Sequence, residues 1–307
     1  MEILAIVLPV FLILGLGMLC GRLGLIAREG MEGIKQLATS FLLPVVLVNA
    51  LGTAEYSPAT LLLVGVMLLV LTAALLAGYL LRPLLGRRGT YLPFLTTTYE
   101  GGMMAYPLYI ALCGAGALSN IAALDMANCV FTFTVYLALI TATGQGRCSG
   151  RDLLHTVLRA PAMYGVALGI LLGATGLLPT LLASPAAPVY QAAIDMLTTP
   201  VSALILFCVG YDLRLDRQVL SAAGLTALFR LLLQTALLAV VWFLLSPLFA
   251  VREQQIALVL YLYMPPCFMA PLYAQWENHK AYASTALSLY TLLSLVAFTL
   301  ITAFFAA

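Results

Sequence analysis

The side chains of this sequence that could do chemistry stand where an apolar chain rarely tolerates them. Glu100 lies inside a long hydrophobic stretch and is followed at once by Gly101-Gly102. It falls about ten residues into that stretch, near mid-depth of a bilayer at a helical rise of about 1.5 Å per residue. An ionised carboxylate there is costly unless it is paired, hydrated or protonated, and ionisable groups at such depth default to function. This position suits a proton carrier; the competing reading is a protonated Glu that bonds a free carbonyl. Asp125 and Asn128 lie one helical turn apart and share a face. Glu100 and Asp125 are therefore candidate coupling-ion residues, as a coupled pair or as a joint seat for a cation such as sodium. The alternative for Asp125 is that it satisfies an N–H freed by a broken helix.

Such groups need elements that break in the membrane, and the sequence supplies two. Tyr99–Tyr109 reads YEGGMMAYPLY, and Tyr263–Tyr273 reads YMPPCFMAPLY. At a constant offset of 164 residues, Tyr99, Pro107, Leu108 and Tyr109 meet Tyr263, Pro271, Leu272 and Tyr273, and Gly101-Gly102 falls on Pro265-Pro266. Gly and Pro pairs do not continue a regular helix, because Gly loses backbone entropy and Pro lacks an N–H. In lipid, freed backbone groups survive only against protein or a watery cavity. Matched breaks in two halves of a chain point to a transporter's binding site; a pair of kinked packing helices is the plainer reading. Half-helices restarting after Pro107 and Pro271 are expected to aim free N–H groups inward, which attracts an anion. Anion and Glu100 are compatible if anion and proton travel together. Candidate solute-binding residues are thus Glu100, Gly101, Gly102, Pro107, Asn128, Pro265, Pro266, Pro271 and Asn49.

The whole chain is built for lipid. Of 307 residues, 63% are hydrophobic and 8% charged, against about a quarter charged in soluble domains. Basic patches for nucleic acid are absent. The six cysteines are scattered without metal-ligand spacing, and no cofactor is implied. No cleavable signal peptide is expected, since Met1-Glu2 lacks a basic start and the first apolar run is long enough to stay as a span.

Spans need about 20 apolar residues. Ten are expected, at 3–25, 33–52, 59–81, 91–114, 118–143, 157–178, 187–210, 220–249, 255–276 and 281–305. Of the 14 Lys and Arg residues, 12 lie in or beside odd-numbered connections; Arg252 is in an even one and Arg230 is inside the eighth segment. By the positive-inside bias, odd connections are cytoplasmic and both termini outside. The halves are 1–145 and 146–307, five spans each. An odd number inverts the second copy, related to the first by a pseudo-two-fold axis in the membrane plane. Pro44 and Pro200 hold similar places in spans two and seven. The polar residues are lopsided: acidic in the first half, with Ser284, Thr285, Ser288, Thr291 and Ser294 in the second.

Tyr99, Tyr106 and Tyr263 read individually as packing. Arg230 reads as a snorkelling residue at the cytoplasmic boundary, because the eighth apolar run has residues to spare. His155 and His279 fall in connections, and neither sits in a metal pattern.

Taken together, the ten spans in two halves, Phe41-Leu42-Leu43-Pro44, Gly102 through Pro107-Leu108, Pro265, and Ala283-Ser284-Thr285…Tyr290-Thr291-Leu292-Leu293-Ser294 resemble the auxin efflux carrier family, which includes bacterial malate and malonate permeases. The resemblance covers nearly the whole chain. It implies an all-α membrane fold with inverted repeats and crossing broken helices in spans four and nine. It implies a scaffold of spans one, two, six and seven, often dimeric, and a moving transport domain of spans three to five and eight to ten, working as an elevator. It implies carboxylate-bearing organic anions as cargo, and a plasma (bacterial inner) membrane location. The family usually places Asn near the first break, where this chain has Glu100.

Three functions follow. The first is secondary transport of a small organic anion, with protons as coupling ion. The second keeps the fold but binds sodium or an amine between Glu100 and Asp125. The third, an intramembrane enzyme, needs a nucleophile–base set or metal cluster within the membrane, and no cysteine or histidine supplies one.

Overall fold

The structure, a computed structural model, describes residues 2–54, 56–145, 151, 161–213, 215–249, 251–268, 270 and 277–306. Pro271, Leu272, Tyr273 and His155 lie outside the described residues. Every regular element among the described residues is a helix. Seven of its helices are long and apolar enough to cross a membrane by themselves: Ala5–Leu23, Arg28–Gly52, Thr60–Gly86, Ala115–Thr143, Ala187–Asp212, Leu220–Leu245 and His279–Phe305. The three remaining expected spans hold shorter pieces. The fourth is interrupted, the sixth is described from Pro161 onward, and the ninth breaks after Leu262, with Ala270 helical again.

In chain order, α1 is Glu2–Leu23. α2 (Arg28–Leu37) runs through a wide π turn, Ala38–Leu42, into α3 (Leu43–Gly52), and α4 is Pro58–Leu81. A 3-10 stretch, Arg82–Tyr91, leads into the short α5 (Leu92–Thr96). After the break comes a second π turn, Gly101–Ala105, then α6 (Tyr106–Cys113). α7 is Leu118–Phe131 and α8 is Leu137–Gln145. The second half brings α9 (Pro161–Ala174), α10 (Leu177–Leu182), α11 (Ala187–Asp212), α12 (Leu220–Leu245), α13 (Arg252–Leu262) and α14 (Glu277–Ala306).

Each of the first two π turns ends two residues before a proline, Pro44 and Pro107. Proline has no N–H to return to the preceding turn, and a turn closed by i→i+5 bonds takes up the resulting shift of register.

The helices pack in two groups. α1 lies along α11, and α3 lies along α9. Both seams are made by glycines that let backbones touch, the small-residue packing that works where lipid removes the hydrophobic drive. A methyl added at Gly17 would stand 2.0 Å from the Phe207 carbonyl oxygen, and one at Gly210 would stand 2.0 Å from that of Leu14. On α9, Gly165 and Gly173 likewise sit against the carbonyls of Pro44 and Leu51. The second group holds α4, α5, α7, α12, α13 and α14: α4 packs on α7 and α5, α12 on α14, and α13 on α7. The outward faces stay apolar, with Leu80 79% and Phe243 86% exposed, as lipid contact requires. α3 touches α7 across the groups, and the interrupted segments sit behind that contact.

Candidate functional site

The break in the fourth segment is Thr97–Glu100, and the second begins at Tyr263. They meet. The Glu100 N–H donates to the Pro265 carbonyl at 2.7 Å, and the Cys267 N–H donates to Thr98 Oγ1 at 3.2 Å. Buried backbone must find partners, and here neighbouring helices supply them. Asn128 on α7 closes on Tyr99 from both sides, accepting from its N–H at 3.0 Å and donating to its carbonyl at 2.9 Å. Gln234 on α12 donates to the Thr96 carbonyl at 2.9 Å and accepts from the Tyr99 hydroxyl at 2.6 Å. One turn earlier on α12, the Arg230 guanidinium donates to the carbonyls of Leu95 (3.3 Å), Thr98 (2.7 Å) and Met264 (2.8 Å). Ser294 on α14 donates to the Tyr263 carbonyl at 2.6 Å.

Arg230 thus corrects the expectation from sequence. It is 3% exposed and lies at the meeting of the breaks, not at the boundary. The stretch Leu220–Leu245 is one helix that starts early enough to bury Arg230 three turns in. Nothing in the sequence marks the partners, which are main-chain oxygens.

Glu100 caps the restarted helix. One carboxylate oxygen accepts from the Met103 N–H at 3.4 Å, the other from the Phe268 N–H at 2.9 Å. The helix therefore restarts at Gly101, and Pro107 sits one turn and a half inside it, buried. The expected start at Pro107 is corrected: the π turn carries the helix backward past the proline. The N–H groups of Met103 and Phe268 are turned toward this side chain, and the half-helix expected after Pro271 lies outside the described residues. The role of a protonated Glu bonding a free carbonyl is not the one drawn by these contacts, since both oxygens accept.

Asp125, 3% exposed, accepts from the hydroxyls of Tyr106 (2.8 Å) and Tyr261 (2.5 Å) and from Asn128 Nδ2 (3.0 Å). Its recorded donors are side chains, so the broken-helix N–H reading does not hold. Tyr106 acts here as a ligand of the acid, while Tyr263 shares a 3.0 Å hydroxyl contact with Thr235. Gly101 is pinned over Asp125: a methyl on it would come within 2.3 Å of Oδ1.

A cavity of about 400 Å³ opens beside the crossing. Thr39, Ser40, Leu43 and Leu47 of the first helix group wall one side. Glu100, Gly101, Gly102, Asp125, Asn128, Cys267 and Phe268 wall the other. Among the described residues that line it there is no Lys, Arg or His. A second cavity, about 440 Å³, is lined by Thr53, Ser57, Ser119, Asn120 and Gln254 among others. Leu124 borders the second cavity and Asp125 the first, so adjacent residues of α7 face the two cavities. Pro265 and Pro266 are buried beneath the lining. Asn49 is not in the lining: its Oδ1 accepts from the Tyr190 hydroxyl at 3.1 Å, tying α3 to α11. His279 sits in the first turn of α14 with its ring against Tyr91, not in a connection as expected.

Apolar helices of spanning length, two interrupted segments that meet, and a cavity at their junction define a membrane transport protein. Residues 2–152, just under half of the chain, match the profile of the family described as membrane transport protein, the auxin efflux carrier family. Comparison with curated proteins gives no match.

Proposed function

We propose that this protein is a secondary active transporter of a small organic anion, a mono- or dicarboxylate, and that Glu100 takes up the proton that accompanies it. One observation carries the reading: the N–H groups of Met103 and Phe268, one from each interrupted segment, converge on a single carboxylate. A cradle that holds the Glu100 carboxylate fits a solute carboxylate equally well. When the solute enters the 400 Å³ cavity, it displaces Glu100 from the two N–H groups. Glu100, now without donors at low-dielectric depth, takes a proton. Anion and proton then move together, and no net negative charge is left buried.

Ten spans in two inverted repeats fit this scheme. The pairing of α1 with α11 and α3 with α9 is what exchange between two inverted copies gives. We read the first group of helices as a scaffold, one half of a homodimer, and the second as the elevator. By the charge bias, the cavity beside Glu100 faces the cytoplasm and the cavity beside Asn120 faces outward, with both termini outside and the chain in a bacterial inner membrane. The two cavities support alternating access past Asp125.

The acidic lining without a basic residue favours a second reading, in which a cation or amine sits between Glu100 and Asp125. Uptake into proteoliposomes separates the two. Labelled malonate and a labelled amine are offered with and without an inward proton gradient. Gradient-driven malonate uptake supports the first reading; amine uptake with malonate excluded supports the second and overturns the first.

A further inference from the structure

The crossing carries its own cation as well as its own carboxylate. Arg230 is 3% exposed and makes no ion pair among the described residues. Its guanidinium instead faces three main-chain carbonyls: Leu95 and Thr98 at the end of the first half-segment, and Met264 at the end of the second. The rings of Tyr99 and Tyr290 stand over it at 5.3 and 5.4 Å, each offering its negative π face. Helix C-termini each carry roughly half a negative charge, concentrated in the last turn. Two such ends together match one guanidinium. In transporters with broken helices, unwound carbonyls and half-helix C-terminal ends are where a coupling sodium ion is coordinated.

We infer that Arg230 is a tethered substitute for that ion: it fills the carbonyl cluster at the crossing, welds the two half-segments into one unit, and removes any requirement for sodium. Arg230 is thus a positioning residue, since it stays outside the cavity that Glu100 lines. Gln234, one turn on, extends the same service to Thr96. The inference rests on the transporter reading only for its meaning in coupling; the geometry and its test need no cargo.

The test is the thermal unfolding midpoint of the purified full chain in detergent, in sodium chloride and in choline chloride of equal ionic strength. The wild type is expected to unfold at the same temperature in both. Arg230→Ala is expected to unfold earlier, and millimolar methylguanidinium or sodium is expected to recover about 2–4 °C of the loss while leaving the wild type unmoved. Arg230→Gln, which keeps neutral donors, provides the same comparison if the alanine variant does not fold. Sodium-dependent stabilisation of the wild type overturns the inference, because the fold would then draw on sodium with Arg230 in place. Failure of both cations to recover either folded variant overturns it too. If neither variant folds, the wild type decides, by sodium-22 binding: none supports the tethered cation and saturable binding overturns it. A failure of malonate uptake with this result intact would sink the anion reading alone.

Discussion

The main-chain N–H of Glu100 donates to the carbonyl of Pro265 at 2.7 Å, across 165 positions of sequence. Proline pairs are usually read as breaks and nothing more. Here Pro265, which cannot donate, serves as the acceptor that orders the other break, and the Glu100 side chain returns the favour through Phe268. Each interrupted segment holds the other open, so the unit should respond to substitution as one piece.

Gly101 and Gly102 are predicted to differ sharply. A methyl at Gly101 meets the Asp125 carboxylate within 2.5 Å, and that acid is fixed by Tyr106, Tyr261, Asn128 and, at 3.5 Å, the Cys129 thiol. Gly101→Ala should destabilise by about 1–3 kcal/mol and abolish uptake. The atoms nearest a methyl at Gly102 are those at the end of the Leu43 side chain, across the cavity. Gly102→Ala should keep its unfolding temperature and lose affinity. Thermal unfolding and uptake on the same samples check the pair; equal melting of both variants would contradict the placement.

Asn128→Leu keeps the branched shape and the number of heavy atoms of the side chain and removes every polar one. Tyr99 then has a buried N–H and a buried carbonyl without Asn128, each costing about 1–3 kcal/mol. The variant should unfold well below wild type, and Asn128→Asp should fall between, since it can still accept from the Tyr99 N–H. A wild-type midpoint for Asn128→Leu would show that the break finds other partners.

The glycine seam predicts position-specific damage on one helix. Gly17→Leu drives side chain into the Phe207 carbonyl, whereas nothing stands within 4 Å of a methyl at Gly15. Gly17→Leu should lose most folded protein in a detergent size-exclusion profile, and Gly15→Leu should keep it. Equal behaviour would mean that α1 does not lie on α11 as described.

Much of this was legible from residue types. Glu100 stood out because a carboxylate followed by two glycines in an apolar run has no packing explanation, and the second break was legible from its match at 164 residues. Asp125 and Asn128 followed from helical spacing. Other features left no mark. The partners of Arg230 are carbonyls, which every residue has, so its burial could not be told from a boundary position. The restart at Gly101 depends on a π turn, whose i→i+5 register has no composition signal, and so Pro107 looked like a helix start. Asn49 carries the same polarity whether it faces a solute or Tyr190; only the rotation of α3 decides, and that is set by the Gly165 and Gly173 seam.

The exchange of Glu100 for a solute carboxylate is tested most directly by separating binding from proton coupling. Glu100→Gln cannot carry a proton but leaves the Met103 and Phe268 N–H groups in place. In proteoliposomes, malonate counterflow and malonate accumulation driven by a pH gradient are measured on the same preparation. The account predicts that Glu100→Gln keeps counterflow within about tenfold of wild type, the span of roughly 1.4 kcal/mol, and loses gradient-driven accumulation. Accumulation that persists in Glu100→Gln and still follows the pH gradient would contradict it.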